Sequence, residues 1–258
     1  MINCKEISEN IREKLKISNR VGLAIVQIGN DAGSNFYVRN KIKDCEELNI
    51  RYKLIKQEKA TNLEMINLIK KLNNDNSISG IIVQLPLPEN LDPKMAISAI
   101  DFKKDVDGFK ENSPYLPCTP KGILTILHSC CEDLTGRKVT LIGRGETVGK
   151  PLRDLLIKEN VTLTICHSKT KEEDLHSAIQ NADIIISCVG KPALITGELV
   201  HEGQIIIDVG ISRINGKQVG DVSKEVWNIA NCTPWVNGVG LMTRTSLLQN
   251  LVYSAEIQ

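Results

Sequence analysis

Tyr37 and Lys41 stand four residues apart in a helically patterned stretch, so they share one face of that helix. An amine in such a place can move protons if burial or a neighbouring cation lowers its pKa. The same pair is also common on solvated helices. Gln84 sits near the end of an otherwise apolar run, 79–85. A buried amide must find partners or carry a desolvation cost of roughly a few kcal/mol, and strand ends of this kind are where open α/β sheets bind ligands. Asp107 precedes Gly108. It can form a turn, or it can accept paired N–H donors from a heterocycle.

A second group of residues suits phosphate. The β-rich run 138–142 enters Gly143-Arg144-Gly145-Glu146-Thr147-Val148-Gly149 and leaves into a helical pattern. In a dinucleotide-binding turn, Gly143 would permit the tight bend, Gly145 close approach to a pyrophosphate, and Gly149 helix packing near the strand. The helix N-terminus then favours the anion. The G-x-G-x-x-x-G spacing is one residue longer than the commonest fingerprint, so an ordinary glycine turn competes with this reading. The following strand, 161–166, ends in His167-Ser168-Lys169-Thr170-Lys171. An NAD site usually places an acid there for the ribose 2′-hydroxyl. Hydroxyl and basic groups stand there instead, with Arg144 in the turn. They suit a 2′-phosphate, which favours NADP over NAD, although 167–171 also reads as a solvated loop.

Two α/β blocks must position these groups. The first has helices over 7–16, 34–48 and 63–72 and strands over 21–28, 51–55 and 79–85. The second has a helix over 121–130 and strands over 139–142, 163–166, 184–188 and 205–209. Strands alternating with helices predict parallel sheets, the second a Rossmann-like, doubly wound one. The expected organisation is two domains with a cleft between them: 1–117 and 118–242, joined at the proline-rich segment 114–120. An amphipathic stretch at 243–258 is expected to pack back on the first domain.

The 258 residues suffice for this, and the formal charge of +1 gives no reason to expect nucleic acid or an acidic membrane as partner. No apolar run is long enough to span a bilayer, and the first residues lack a signal core. The eight cysteines include no C-x-x-C pair, and the four histidines are scattered. No metal site is expected; reduced, buried thiols in a cytoplasmic protein are. Cys118, between prolines, is either functional or part of a tight bend.

Several motifs occur in order: Ser34-x-x-Tyr37-x-x-x-Lys41, Val83-Gln84-Leu85-Pro86-Leu87-Pro88, Lys104-Asp105-Val106-Asp107-Gly108-Phe109, Pro117-Cys118-Thr119-Pro120 and Asp208-Val209-Gly210-Ile211. Together with the glycine turn they make the chain resemble the methylenetetrahydrofolate dehydrogenase/cyclohydrolase family from about residue 26 to residue 243. The resemblance implies an enzyme of one-carbon metabolism, which serves purine biosynthesis. NADP would take a hydride from methylenetetrahydrofolate, and water would open the methenyl product to 10-formyltetrahydrofolate. It further implies that Lys41 is the main catalytic group, that Gln84 orients it, and that Tyr37 packs on the folate ring and helps to position the lysine. Asp107 would hold the pterin edge, and Gly238 would lie on the substrate side. Gly143, Arg144, Gly145, Gly149, His167, Ser168 and Ile211 would bind NADP. A homodimer through the nucleotide-binding blocks is also implied.

The chain departs from the family pattern in places. Gly145 replaces a serine. In the loop 233–243, Val236 and Leu241 replace prolines and Asn237 a glycine, so a less rigid or rerouted loop is expected. The segment 109–120 is shorter than usual. A dehydrogenase without hydrolase activity, a non-catalytic NADP-binding relative, and a shikimate-type oxidoreductase are the competing readings.

Overall fold

A computed structural model of the chain describes residues 1–214 and 216–258. The chain forms two compact units, each assembled from separate stretches.

The first comprises residues 14–118 and 246–258. Its parallel sheet has the order β2-β1-β3, with β1 at Gly22–Ile28, β2 at Arg51–Gln57 and β3 at Gly80–Val83. β1 and β3 are buried along their whole length, as their unbroken apolar runs require, whereas β2 is an exposed edge. Helices α2 (Ala32–Glu47) and α3 (Asn62–Asn73) connect the strands, and a short helix, α4 (Pro93–Ala99), follows. Asp31 caps α2 by accepting from the Ser34 N–H at 2.7 Å. Thr61 and Glu64 form a reciprocal capping box on α3. At the other end of α3, the buried Lys104 ammonium donates to the carbonyls of Leu72, Asn73 and Asp75. These carbonyls lie at and just beyond the helix end, so Lys104 acts as a cationic cap.

The second unit comprises residues 1–13 and 119–245. The five strands of its sheet are β4 (Lys138–Ile142), β5 (Thr162–Cys166), β6 (Ile184–Ser187), β7 (Ile205–Asp208) and β10 (Asn231–Cys232); a separate hairpin, β8 (Ser212–Ile214) and β9 (Lys217–Val219), lies between the last two in the chain. All sheet neighbours pair in parallel, in the order β10-β7-β6-β4-β5; the hairpin stands apart as an antiparallel pair. Helices α5 (Cys118–Cys130), α6 (Gly149–Lys158) and α7 (Glu172–Gln180) belong to this part of the chain.

Residues 1–13 depart from the expected 1–117 division. The helix α1 (Cys4–Arg12) packs its apolar side on the five-stranded unit: Ile2 and Cys4 share a core with Ile123, Leu127 and Met242. The Ile2 N–H donates to Cys232 O at 3.0 Å, extending the edge beside β10. The last helix, α8 (Val239–Ile257), begins earlier than expected and lacks a clean amphipathic face. Its residues 246–257 belong to the three-stranded unit, where Leu247, Leu248 and Leu251 fill the core. Its buried polar groups are hydrogen-bonded: Asn250 donates to Val106 O (2.9 Å) and Leu116 O (3.0 Å). Among the described residues, no helix is long and apolar enough to cross a membrane.

Candidate active site

Within the three-stranded unit, α2 carries Tyr37 and Lys41 one turn apart, and Gln84 follows directly on β3. Lys41 Nζ donates to Gln84 Oε1 at 3.1 Å. The amide itself is fixed, because Gln84 Nε2 donates to Leu85 O at 2.7 Å and its backbone N–H bonds Val26 O. Gln84 is buried and Lys41 half-buried, so the amine is shielded without being sealed off. Tyr37, also half-buried, meets Phe36 edge-on at 5.9 Å.

Asp107 joins this group electrostatically. Burial raises its pKa, while the charge of Lys41 and a hydrogen bond from Cys118 oppose the rise. The Cys118 thiol is buried and also reaches Val106 O at 3.3 Å. Cys118 N–H donates to Asp107 O (3.2 Å), and Asn250 secures the carbonyls on either side of this segment. The structure thus brings Lys41, Gln84 and Asp107 together. Asn250 was not found from sequence, because a polar residue in an apolar helix carries no local sign of its distant partners.

Asp105, two residues away, is fully buried. Its Oδ2 accepts from Lys110 N–H at 2.8 Å, but Oδ1 finds no partner among the described residues. Burial pushes its pKa up to about 7, against the opposing Lys110 N–H and ammonium. A carboxyl with a folded-state pKa above its unfolded value binds its proton better when folded. Its contribution to stability therefore falls as pH rises between about 4 and 7, and stays low above that range. Asp105→Asn keeps the acceptor for Lys110 and removes the buried charge. We expect it to be near neutral at pH 4 and stabilising by about 2–4 kcal/mol at pH 8. Urea unfolding at the two pH values checks this; a gain that does not grow with pH refutes it.

The five-stranded unit holds the other candidates at the carboxyl ends of its strands. Gly143 follows β4 with φ of 115°, in the left-handed region, and a Cβ there would lie 2.7 Å from Cys188 Sγ. A Cβ on Gly149 would lie 2.4 Å from Gly143 O, so α6 can approach the turn only with glycine at that position. At Gly145 an added Cβ would meet open space. The fold therefore does not require glycine at 145; any demand for it comes from a ligand. The N-terminus of α6 has no side-chain cap, and its first turn has no acid. The positive end of its dipole and the exposed Arg144 suit an anion.

After β5, His167 and Ser168 line a cavity of about 770 Å³ with Thr170, Val189 and Lys191. Thr170 shapes this turn, its Oγ1 accepting from His167 N–H at 2.9 Å. Ile211, after β7, is exposed. Gly238 lies in the loop after β10, where a Cβ would stand 2.0 Å from Pro234 O. Among the described residues, no cluster of three or more His, Cys, Asp or Glu could hold a metal.

Two buried carboxylates brace the same strand ends. Asp208 accepts from the N–H groups of Asp221 (2.9 Å) and Val222 (3.1 Å). Asp221 accepts from Ser187 Oγ (2.7 Å), Val189 N–H (3.0 Å) and Lys191 N–H (2.7 Å). Cβ atoms on Gly210 and Gly220 would stand 2.0 Å from Asp221 Oδ1 and 1.9 Å from Asp208 Oδ2. Each glycine thus makes room for the other segment's carboxylate. Burial raises the Asp208 pKa to about 7, despite these donors. Asp208 was legible only as part of a motif, and its link to Asp221 was not.

A doubly wound sheet with an anion-ready turn, together with a separate unit carrying a lysine–amide pair, defines a two-unit dinucleotide-binding α/β protein. Sequence comparison agrees and is more specific. The model described as "Tetrahydrofolate dehydrogenase/cyclohydrolase, catalytic domain" matches residues 2–107, and its NAD(P)-binding counterpart matches residues 117–258. The chain belongs to the tetrahydrofolate dehydrogenase/cyclohydrolase family. It is 44% identical over 271 residues to "Bifunctional protein FolD" of Clostridium novyi (strain NT), covering 97% of each chain. Among solved structures, it matches the bifunctional FolD enzyme of Campylobacter jejuni with a TM-score of 0.90 at 37% identity, covering 98% of this chain and 96% of that one. The Trypanosoma brucei FolD, solved with NADP cofactor and inhibitor, also matches with a TM-score of 0.90, at 29% identity, covering 98% and 95% of the two chains.

Proposed function

We propose that this chain oxidises methylenetetrahydrofolate with NADP and hydrolyses the resulting methenyltetrahydrofolate to 10-formyltetrahydrofolate. The observation that carries the hydrolytic half is the 3.1 Å contact between Lys41 Nζ and an amide that is itself held in place. Water adding to the cationic bridge carbon must lose a proton, and the nitrogen released when the C–N bond breaks must gain one. Lys41 is the group that moves this proton, and Gln84 fixes where its amine points. Tyr37 presents a flat ring one turn away on the same helix face. The Asp107 carboxylate accepts N–H donors from the pterin edge.

NADP, when bound, supplies the hydride acceptor. Its phosphates suit the uncapped α6 N-terminus, with Gly143, Gly145 and Gly149 shaping the turn. Arg144, His167 and Ser168 provide donors and charge for the 2′-phosphate, Ile211 completes the NADP site, and Gly238 lies on the substrate side. Family resemblance supports a homodimer through the five-stranded unit. Eight cysteines, none in a disulfide, support a reducing, cytoplasmic setting.

Turnover with methylenetetrahydrofolate and NADP tests this reading. NADPH should appear without methenyltetrahydrofolate accumulating; accumulation would instead mark a dehydrogenase alone, and no NADPH would refute the proposal. In the same assay, replacing Arg144 and Ser168 together by alanine should raise the KM for NADP by about tenfold or more and leave that for NAD nearly unchanged. Equal losses with both cofactors would remove their assignment to the 2′-phosphate.

A further inference from the structure

The loop 233–238 leaves the carboxyl end of β10 carrying Val236 and Asn237 exposed to solvent. A turn this short on stiffening residues needs an anchor, and the structure contains one. Trp235 Nε1 donates to Asp208 Oδ2 at 3.1 Å. Its ring packs edge-on against Trp227 at 4.9 Å, and Lys224 Nζ lies 5.6 Å from its centroid on the ring face. Its backbone carbonyl accepts from Gln218 Nε2, on β9, at 2.8 Å. One residue is thereby tied to the end of β7, to the 3₁₀ turn Lys224–Asn228 and to the β8–β9 hairpin.

The loop's place relative to a dinucleotide follows from strand order. Phosphates at the β4 turn and an adenosine half toward His167 and Ser168 after β5 occupy one side of the sheet's centre. The other half of the ligand must then extend the opposite way, across β6 toward β7, two strand spacings or about 10 Å from β4. Loop 233–238 borders that end, beside β7. The tight closure of Gly238 on Pro234 O means that whatever fixes residue 235 also fixes residue 238. The Gly238 carbonyl in turn accepts from Leu241 and Met242 N–H, at the start of α8.

We propose that Trp235 is a positioning residue that clamps loop 233–238 against the nicotinamide half of the bound dinucleotide. The proposal rests on the dinucleotide reading above. The clamp also shares its carboxylate with the Asp208–Asp221 brace, which holds Val189 and Lys191 at the cavity wall.

Three variants test it. Trp235→Leu removes ring and donor, Trp235→Phe removes the donor but keeps a smaller aromatic ring, and Gln218→Met removes only the carbonyl anchor. Amide hydrogen exchange at residues 236–238, measured without ligand, should rise about tenfold in Trp235→Leu and less in the other two. kcat/KM should fall about tenfold in Trp235→Leu, with a smaller fall in Trp235→Phe. Binding of 2′,5′-ADP, which probes only the adenosine side, should change less than about twofold. A purely structural role would lower the melting temperature and leave these ratios alone. Both tryptophans of the chain lie in this pair, so intrinsic fluorescence reports on it directly; Gln218→Met should shift the emission even if Trp235→Leu fails to fold. Folded variants with unaltered exchange, or with kcat/KM and 2′,5′-ADP affinity both within twofold of wild type, overturn the proposal. Absence of turnover in the wild type would count against the enzyme reading, while exchange would still decide the clamp.

Discussion

Replacing Lys41 by methionine should reduce methenyltetrahydrofolate hydrolysis by about 10³-fold or more, within the range a general acid–base contributes. Methionine approximates the length of the lysine stem and preserves its packing, but it cannot carry a proton. Gln84 would lose the donor at its Oε1, yet its own anchors to Leu85 O and Val26 O remain, so the strand end should hold its shape. NADP affinity should change little, because the substitution leaves every residue of the five-stranded unit intact. Measuring hydrolysis of preformed methenyltetrahydrofolate isolates the step. A variant that hydrolyses at the wild-type rate would remove Lys41 from the mechanism.

The second large effect is expected at Asp107. Changing it to alanine should raise the KM for methylenetetrahydrofolate by about 10–100-fold, as expected for loss of a charge-assisted contact. Asp107→Asn keeps an acceptor oxygen and the shape, but loses the charge and turns one oxygen into a competing donor; an intermediate value is expected. A fall in kcat at constant KM would instead mean that Asp107 serves Lys41, whose charge already acts on its carboxyl. The Cys118 thiol and Asn250 should hold the surrounding backbone in both variants.

Much of the fold was legible because parallel strands are buried on both faces and read as apolar runs. Gly22–Ile28 and Ile184–Ser187 are buried throughout. Tyr37 and Lys41 were legible through helix periodicity, and Gln84 because an amide in an apolar run must be explained. The remainder depended on contacts distant in sequence. Nothing local in Cys4–Arg12 says which sheet it will cover. The two-residue strand β10 is too short to have a pattern, and its pairing depends on β7. The departures at Val236, Asn237 and Leu241 suggested a loop freed from its prolines. The compensating tie runs from Trp235 to Asp208, twenty-seven positions away, and only the folded chain reveals it. Gly145 was read as room for a pyrophosphate, and the structure leaves its surroundings open.

The interleaving of the two units has a consequence for biosynthesis. The three-stranded unit takes residues 14–118 early in translation, but Leu247, Leu248 and Leu251 of its core come from 246–258. At ribosomal speed that gap amounts to roughly ten seconds. For that interval the nascent sheet has an apolar face waiting for its last helix, while Ile2 and Cys4 wait for a sheet not yet made. Cutting the gene at residue 118 would therefore yield two polypeptides, each lacking part of its own interior.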